Sequence, residues 1–398
     1  MSSPDTQVVV VGAGPAGIAA ALTMVDHGVD TIVVDKARFP RDKTCGDGLT
    51  TAALRQLERL GLPRTAIDAM QTVHDVVLVG PSGRRIPLEL PDNGTYATVT
   101  PRTHLDHALV QLARARGVDV RVGAGVHSVV VDGDGAKVVL DDGSALHGRH
   151  LIAADGHYST VRRALQTERH DLGTWHAFRQ YFSGVDDPRL WVLFEKDLLP
   201  GYAWVFPLPD GRANVGFGVL RSPDLNGKRL AAWWRDLLDR PTLREILGTN
   251  ARPEGTHRAW PIPGALDEES LTHGPVLYVG DAAGAADPLT GEGIGQAIET
   301  GILAAEAIVR GGDASEISAR YRRGVHRSLA RDLRFAASLQ RVFARPMAAR
   351  AALRAIDAND WTRQNFVRWM FEDYPRAQLL TPDRWHRGAM SGPGAYRG

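Results

Sequence analysis

Three glycines stand as G-x-G-x-x-G in Gly12-Ala13-Gly14-Pro15-Ala16-Gly17, directly behind Val8, Val9, Val10 and Val11. A β-branched run feeding a glycine turn and then a helix is the setting in which this spacing has a meaning. Gly12 permits the tight turn, and Gly14 lets backbone approach a pyrophosphate at the positive end of the helix. Gly17 lets helix lie on strand. Asp35 ends a second β-branched run, where its carboxylate would accept hydrogen bonds from a ribose. A glycine pattern alone is weak. With strand, helix and acid in register, the reading is dinucleotide binding.

Two more stretches bear on which dinucleotide. One is Asp155-Gly156-His157-Tyr158-Ser159-Thr160-Val161-Arg162, and the other is Gly280-Asp281-Ala282-Ala283, continuing through Pro288-Leu289-Thr290-Gly291-Glu292-Gly293-Ile294. Together they resemble the flavoprotein hydroxylases of the para-hydroxybenzoate-hydroxylase-like superfamily. The resemblance implies non-covalent FAD, with Asp281 on the ribitol and the Gly291, Gly293 and Ile294 helix start beside the flavin. Arg102 resembles a further FAD-contacting arginine. A helix N-terminus aimed at the ring would favour anionic reduced flavin. A helix cap is the other reading of Asp281.

The likeness sharpens in Phe39-Pro40-Arg41-Asp42-Lys43-Thr44-Cys45-Gly46-Asp47-Gly48-Leu49-Thr50 and in Tyr202-Ala203-Trp204-Val205-Phe206-Pro207 followed by Gly216-Phe217-Gly218. These resemble segments of the geranylgeranyl reductase family, whose members reduce double bonds in prenyl chains. The resemblance spans residues 8–310. It implies a substrate set of Tyr202, Trp204, Phe206, Pro207, Gly216 and Gly218. It places Cys45 near the flavin, helping to protonate or position the alkene. The implied cofactor set adds Pro15, Ala16, Lys36, Arg41, Cys45, Gly46, Val126, Asp155 and Gly280 to the residues above.

Elementary chemistry agrees at two points and leaves alternatives. Alternation on a strand puts Tyr202, Trp204 and Phe206 on one face, where they would line a long apolar cavity or simply form core. Arg41 and Lys43 flank Cys45, and a nearby cation would lower its thiol pKa. An inert buried thiol is the other reading.

These motifs need elements to hold them. Buried strands are expected at residues 8–11, 31–34, 151–154 and 276–279, with helices at 15–27, 50–60, 103–116 and 293–310. Short strands follow at 118–122, 126–132 and 137–140. Between 175 and 219 the pattern becomes alternating and aromatic, which suggests an antiparallel sheet. Residues 233–247 look helical, as does nearly everything after 315, with a break at Pro346. The fold class is α/β (α+β): a discontinuous Rossmann-type FAD-binding domain, an inserted antiparallel-sheet domain and a helical C-terminal region. The expected boundaries are 1–72 with 98–165 and 270–314, then 73–97 with 166–269, then 315–398.

Composition narrows the class. The chain has 398 residues and a net charge of +1, which is not that of a nucleic-acid binder. Its one cysteine excludes an intrachain disulfide and a cysteine-rich zinc site. His104 with His107 and His147 with His150 lack a third ligand, so no metal is expected. No secretion signal, prenylation box or membrane span is expected; glycines interrupt the apolar stretch at 8–25. The expected location is cytoplasmic. Residues 320–371 carry twelve arginines and three aspartates, a net charge of +9. Leu329, Leu333, Ala336, Leu339 and Phe343 fall near one face of this region, which could dock on an anionic membrane. A solvated basic face is the alternative.

There is no second G-x-G-x-x-G for a resident nicotinamide. The donor is expected to be NAD(P)H visiting the flavin, or a reduced electron-carrier protein. The leading expectation is thus an FAD-dependent reductase of an isoprenoid C=C bond, with a geranylgeranyl-type or quinone-linked prenyl substrate. The alternative is an FAD-dependent monooxygenase or halogenase tailoring a secondary metabolite. A non-catalytic FAD-binding protein is the third class.

Overall fold

The structure, a computed structural model, describes residues 5–397 apart from 134, 168–172, 223–224 and 387. The segment 1–7, read above for a secretion signal, therefore lies partly outside the described residues.

The first sheet has eight strands. Its parallel core runs Val276–Tyr278, Ala145–Ala153, Thr6–Val11, Thr31–Asp35 and Asp119–Val122, side by side in that order. Val8, Val9 and Val10 are fully buried, as a strand covered on both faces requires. Val9 sits level with Ile32 on one side and Leu151 on the other. An antiparallel pair, Gly135–Leu140 and Val126–Asp132, extends from Ala145–Ala153. This register has a chemical consequence. Gly12, Asp35, Asp155 and Gly280 all lie at the carboxyl ends of neighbouring parallel strands, so four motifs distant in sequence share one edge.

Two helices close one face of that sheet. Pro15–Val25 has proline at its first position, which needs no N–H there. It crosses Ile294–Val309 closely, since a Cβ at Gly301 would lie 2.2 Å from the Ala16 carbonyl oxygen.

The second sheet has seven strands in the order Arg252–Ile262, Trp175–Ser183, Arg212–Leu220, Tyr202–Leu208, Leu190–Leu193, Asp75–Val79 and Arg85–Glu89. Within 175–220 every pairing is antiparallel, as the alternation predicts, and the parallel pair involves the strand Asp75–Val79. Leu190–Leu193 runs parallel to Asp75–Val79, because this strand pair joins segments more than 100 residues apart and no hairpin fixes their direction. Alternation holds within the strand Tyr202–Leu208. Ala203 and Val205 enter one core, and Trp204 and Phe206 enter the other.

The C-terminal region carries helices Ala314–Val325, Arg331–Phe343, Pro346–Ile356 and Asp360–Met370. The break expected at Pro346 is the first position of one of these. Beyond Met370 the described chain has only short 3₁₀ turns, Gln378–Leu380 and Pro382–Arg384, before it returns to pair Ala395 with Thr95. Proline and glycine favour this irregular tail: Gly394 packs so near Gly94 that a Cβ on Gly94 would sit 2.8 Å from its Cα. No described helix is long and apolar enough to cross a membrane.

Candidate active site

A cavity of about 460 Å³ opens along the carboxyl edge of the first sheet. Gly12, Gly14, Pro15, Ala16, Asp35, Lys36, Arg41, Val126 and Asp155 line it on the sheet side. Gly12 has φ +107°, and a Cβ there would sit 2.3 Å from the Ala154 carbonyl oxygen. Gly17 is not a lining residue. Its place is under the turn, where a Cβ would lie 1.9 Å from the Gly12 oxygen. Gly14 faces open space: a Cβ there would find Arg41 Nη2 as its nearest neighbour, at 3.7 Å. A backbone bared at a helix N-terminus is what a pyrophosphate needs. Asp35 accepts from the Ala13 and Ala37 N–H groups, each at 2.7 Å, one on each carboxylate oxygen. Each oxygen keeps acceptor capacity for a ribose hydroxyl. These residues fit the adenosine diphosphate part of FAD.

Farther along, Gly280, Asp281, Gly291, Gly293 and Ile294 form the opposite wall. Asp281 is no helix cap. Its carboxylate takes the Lys43 ammonium at 3.0 Å, while the helix Ile294–Val309 starts at Gly293 with no side-chain cap. Burial opposes ionisation of Asp281, but the charge and hydrogen bond of Lys43 outweigh it and hold the carboxyl below its ordinary range. Arg102 lines the cavity and grips Asp106 with two bonds of 2.7 Å. Arg41 reaches the same Asp106 at 2.8 Å.

Those pairings correct one expectation. Arg41 and Lys43 do not activate Cys45: Lys43 is held by Asp281, and Arg41 by the Asp106 it shares with Arg102. Burial pushes the Cys45 thiol up to about 11, and the nearby Asp47 adds to the shift. Cys45 lines the cavity as a neutral thiol at ordinary pH.

The loop around Cys45 is bound to the aromatic strand. Asn214 Nδ2 donates to the Cys45 carbonyl at 2.9 Å and to Asp47 Oδ2 at 2.8 Å, and Trp204 Nε1 donates to Asn214 Oδ1 at 3.0 Å. Tyr181 donates to the same Asp47 oxygen at 2.7 Å. Burial pushes the Asp47 carboxyl up to about 6, against the pull of these two hydrogen bonds and of Arg179 and Arg102. Phe206 lies over Gly46 and Gly48, where a Cβ would come within 3.5 and 3.4 Å of its ring, respectively. Tyr202, Trp204 and Phe206 stand in a row with ring centroids 6.0 and 5.9 Å apart, and all three line the cavity. So do Gly46 and Gly218. Pro207 and Gly216 do not. Pro207 is buried in the strand, and Gly216 makes room for Trp204, whose ring a Cβ would approach to 2.3 Å.

A second cavity, of about 120 Å³, adjoins the first. Tyr202, Phe206, Thr290 and Glu292 line both. Its remaining wall is apolar and comes largely from Leu190, Val192, Phe194, Phe343, Leu353 and Phe366. Tyr202 donates to the Thr290 carbonyl. From the C-terminal tail, Arg376 pairs with Asp287 and Glu372, and Glu372 accepts from Thr50 and Gln296. This buried cluster fixes the loop that carries Glu292. Burial pushes the Glu292 carboxyl up to about 8, helped by Glu372 and Asp287 and opposed by Arg376.

Sequence reasoning gave no role to Asp47, Tyr181, Asn214, Glu292 or Arg376. Asp47 offered a signal, an acid between two glycines, and it has φ +66°. Glu292 offered the same one in Gly291-Glu292-Gly293. Asn214 and Arg376 carry no local signal, since their partners lie far away in the chain. The apolar face expected to meet a membrane is also corrected. Leu333 and Ala336 are buried, and Phe343 lines the second cavity, so that face packs inward.

Comparison with known proteins fits this geometry. Residues 5–316 match the model of the FAD binding domain family. The chain is 38% identical over 328 residues to a menaquinone reductase of Mycolicibacterium smegmatis, covering 77% of this chain and 76% of that one. It is 30% identical over 328 residues to digeranylgeranylglycerophospholipid reductase 1 of Methanopyrus kandleri, covering 80% and 84%. A geranylgeranyl bacteriochlorophyll reductase-like protein of Thermoplasma acidophilum shares the fold, with a TM-score of 0.79 at 22% identity over 95% of this chain and 98% of that one. The cradle, the match over 5–316 and the likeness to these reductases place the chain in the geranylgeranyl reductase family of FAD binding domain proteins, as an FAD-dependent oxidoreductase.

Proposed function

We propose that this oxidoreductase saturates a C=C bond of a prenyl chain, carried by a quinone or a geranylgeranyl-type lipid. The observation that carries the reading is the apolar second cavity, joined to the first across Tyr202, Phe206, Thr290 and Glu292. The names of the relatives, menaquinone reductase and digeranylgeranylglycerophospholipid reductase, support the substrate class.

In this reading FAD is held non-covalently by Gly12, Gly14, Pro15, Ala16, Asp35, Lys36, Arg41, Arg102, Val126, Asp155, Gly280, Asp281, Gly291, Gly293 and Ile294. When reduced, it supplies a hydride. The aromatic row and the second cavity hold the prenyl tail by apolar contact and keep water from the reacting carbons. Cys45, a neutral thiol, positions the alkene. The donor is NAD(P)H docking transiently or a reduced electron-carrier protein. We keep the discontinuous division given above, with the sheet of 73–97 and 166–269 as the substrate domain; its supply of the aromatic row supports this.

A lipid-borne substrate also calls for a meeting with its membrane. We place that contact on Arg341, Arg345, Arg350 and Arg354 with Val342 and Met347, on a cytoplasmic protein. Val342 and Met347 are exposed at 49% and 81%, beside arginines that make no ion pair among the described residues. Lipid extracts from cells with and without the protein test the function. The expected difference is a prenyl quinone or lipid two hydrogens heavier in cells that contain it. Identical extracts would contradict the proposal.

A further inference from the structure

Cys45 is the residue that the family resemblance offers for handling the alkene's proton, and its environment disfavours the task. A thiol held at about 11 gives up a proton reluctantly at neutral pH. Glu292 is placed differently. It stands at the junction of the two cavities and lines both, on a loop fixed by Arg376 and Asp287 on one side and by the Tyr202 hydroxyl on the other. Its carboxyl lies near the Cys45 loop, 3.7 Å from where a methyl on Gly48 would sit. Among the described residues no protein donor is hydrogen-bonded to the carboxyl, so its oxygens face the cavities. A carboxyl without a partner, between the place for the cofactor and the place for an apolar chain, has one obvious use.

We propose that Glu292 is the general acid of the reduction, delivering a proton to the alkene carbon opposite the one that receives hydride. This rests on the prenyl reductase reading above. The balance closes. The alkene π bond breaks, one carbon takes a hydride from reduced flavin, and the other takes the Glu292 proton. The substrate gains two hydrogens, the flavin is oxidised by two electrons, and a carboxylate remains that solvent reprotonates.

Electrostatics support the assignment. The titratable and charged groups around Glu292 are Cys45 from the loop, Tyr202 from the aromatic strand, Asp287 from its own loop, and Glu372 and Arg376 from the C-terminal tail. Burial and the two acids outweigh Arg376 and push the carboxyl up to about 8. It is therefore protonated at neutral pH yet able to release the proton, near the best range for general acid catalysis.

The test compares FAD-loaded wild type, Glu292→Gln and Cys45→Ser. Infrared spectra of the oxidised enzyme without substrate should show a protonated-carboxyl band at pH 7 that fades above about pH 8 and is missing in Glu292→Gln. Anaerobic single turnovers with dithionite-reduced enzyme and a geranylgeranyl lipid, which has no quinone ring to take the electrons, should run at a constant rate below that pH and fall tenfold per unit above it. Glu292→Gln should be slower by about 10²-fold or more, with a flat profile, since general acids contribute about 10²–10⁴. Cys45→Ser should keep the wild-type pH profile. A Glu292→Gln rate within threefold of wild type, or an infrared band already lost at pH 6, overturns the proposal while leaving the reductase reading intact. If wild type saturates no prenyl substrate, the reductase reading falls and takes the general acid with it, although the infrared band still reports the carboxyl.

Discussion

The two cavities are walled by different kinds of chemistry. Around the first, backbone does most of the work: bare glycines at 12 and 14, a helix N-terminus, and carboxylates at 35 and 281 that already have partners in the protein. Around the second, side chains do it: aromatic rings from one strand, aliphatic groups from another, and three helices at the far end of the chain. The acids differ in the same sense. Asp281 is held below its ordinary range by Lys43 after burial is overcome, whereas burial raises Glu292, which lines both cavities, to about 8. One region is built to hold a charged, constant molecule. The other is built to stay neutral beside an apolar one.

The sharpest way to break this contrast is at the backbone. Gly17→Ala puts a methyl 1.9 Å from the Gly12 oxygen, with the Ala154 Cβ at 3.1 Å and nothing flexible to move. The purified variant should be colourless, or fail to fold, where the wild type is yellow and releases FAD on heating. Full flavin content in Gly17→Ala would show that the cradle does not depend on that close approach.

Along the aromatic row the corresponding change is Trp204→Ala. Truncating a buried tryptophan costs about 3–5 kcal/mol of stability, and here it also leaves Asn214 without a donor. The variant should melt lower, keep FAD, and turn over long prenyl chains less well than short ones. Equal loss at every chain length would make Trp204 packing alone.

Asp35→Ala should weaken FAD by about 1.5–3 kcal/mol, the range for a hydrogen bond to a charged group, roughly tenfold to a hundredfold in Kd. Flavin fluorescence on titrating the apoprotein reads this directly. An unchanged Kd would remove Asp35 from the cofactor site.

The acids predict opposite pH behaviour. Asp281, with a lowered pKa, contributes stability that is present above the ordinary carboxyl range and lost as pH falls through its folded value. Glu292, with a raised pKa, contributes stability that is present at low pH and lost as pH rises from its ordinary 4.5 through about 8. Glu292→Gln, which cannot ionise, should therefore melt higher than wild type at pH 9 and much the same at pH 4. A constant Tm difference across that range would contradict the raised carboxyl.

The smallest effect is at the surface. Arg345→Glu with Arg350→Glu should weaken binding to phosphatidylserine vesicles by about 1 kcal/mol for each basic side chain lost near the bilayer. Wild-type binding should itself fade with salt. No sedimentation of wild type at low salt would remove the membrane contact.

The same division explains what was legible in the sequence. The cradle is a local code: a strand, a glycine turn and a helix specify where Gly12, Gly14 and Asp35 will be, and parallel pairing brings Asp155 and Gly280 to the same edge. The row of Tyr202, Trp204 and Phe206 was legible because a strand alternates. Partners from distant segments were not. Arg376 reaches Asp287 across 89 residues and Tyr181 reaches Asp47 across 134, and neither pairing leaves a local pattern. The cations beside Cys45 misled for a related reason: spacing shows that Arg41 and Lys43 are near the thiol, but not that Asp106 and Asp281 hold them.

The central claim is that the alkene of a prenyl chain, and not oxygen, receives the electrons of the reduced cofactor. The direct measurement is to reduce the FAD-loaded enzyme with dithionite under nitrogen, add a geranylgeranyl lipid, which has no quinone ring to be reduced in place of the alkene, and follow flavin absorbance and product mass together. Flavin should reoxidise without oxygen, and the product should be two hydrogens heavier. Flavin that stays reduced under nitrogen with every such lipid, with a product one oxygen atom heavier once air is admitted, would contradict the claim and assign the protein to the oxygenases.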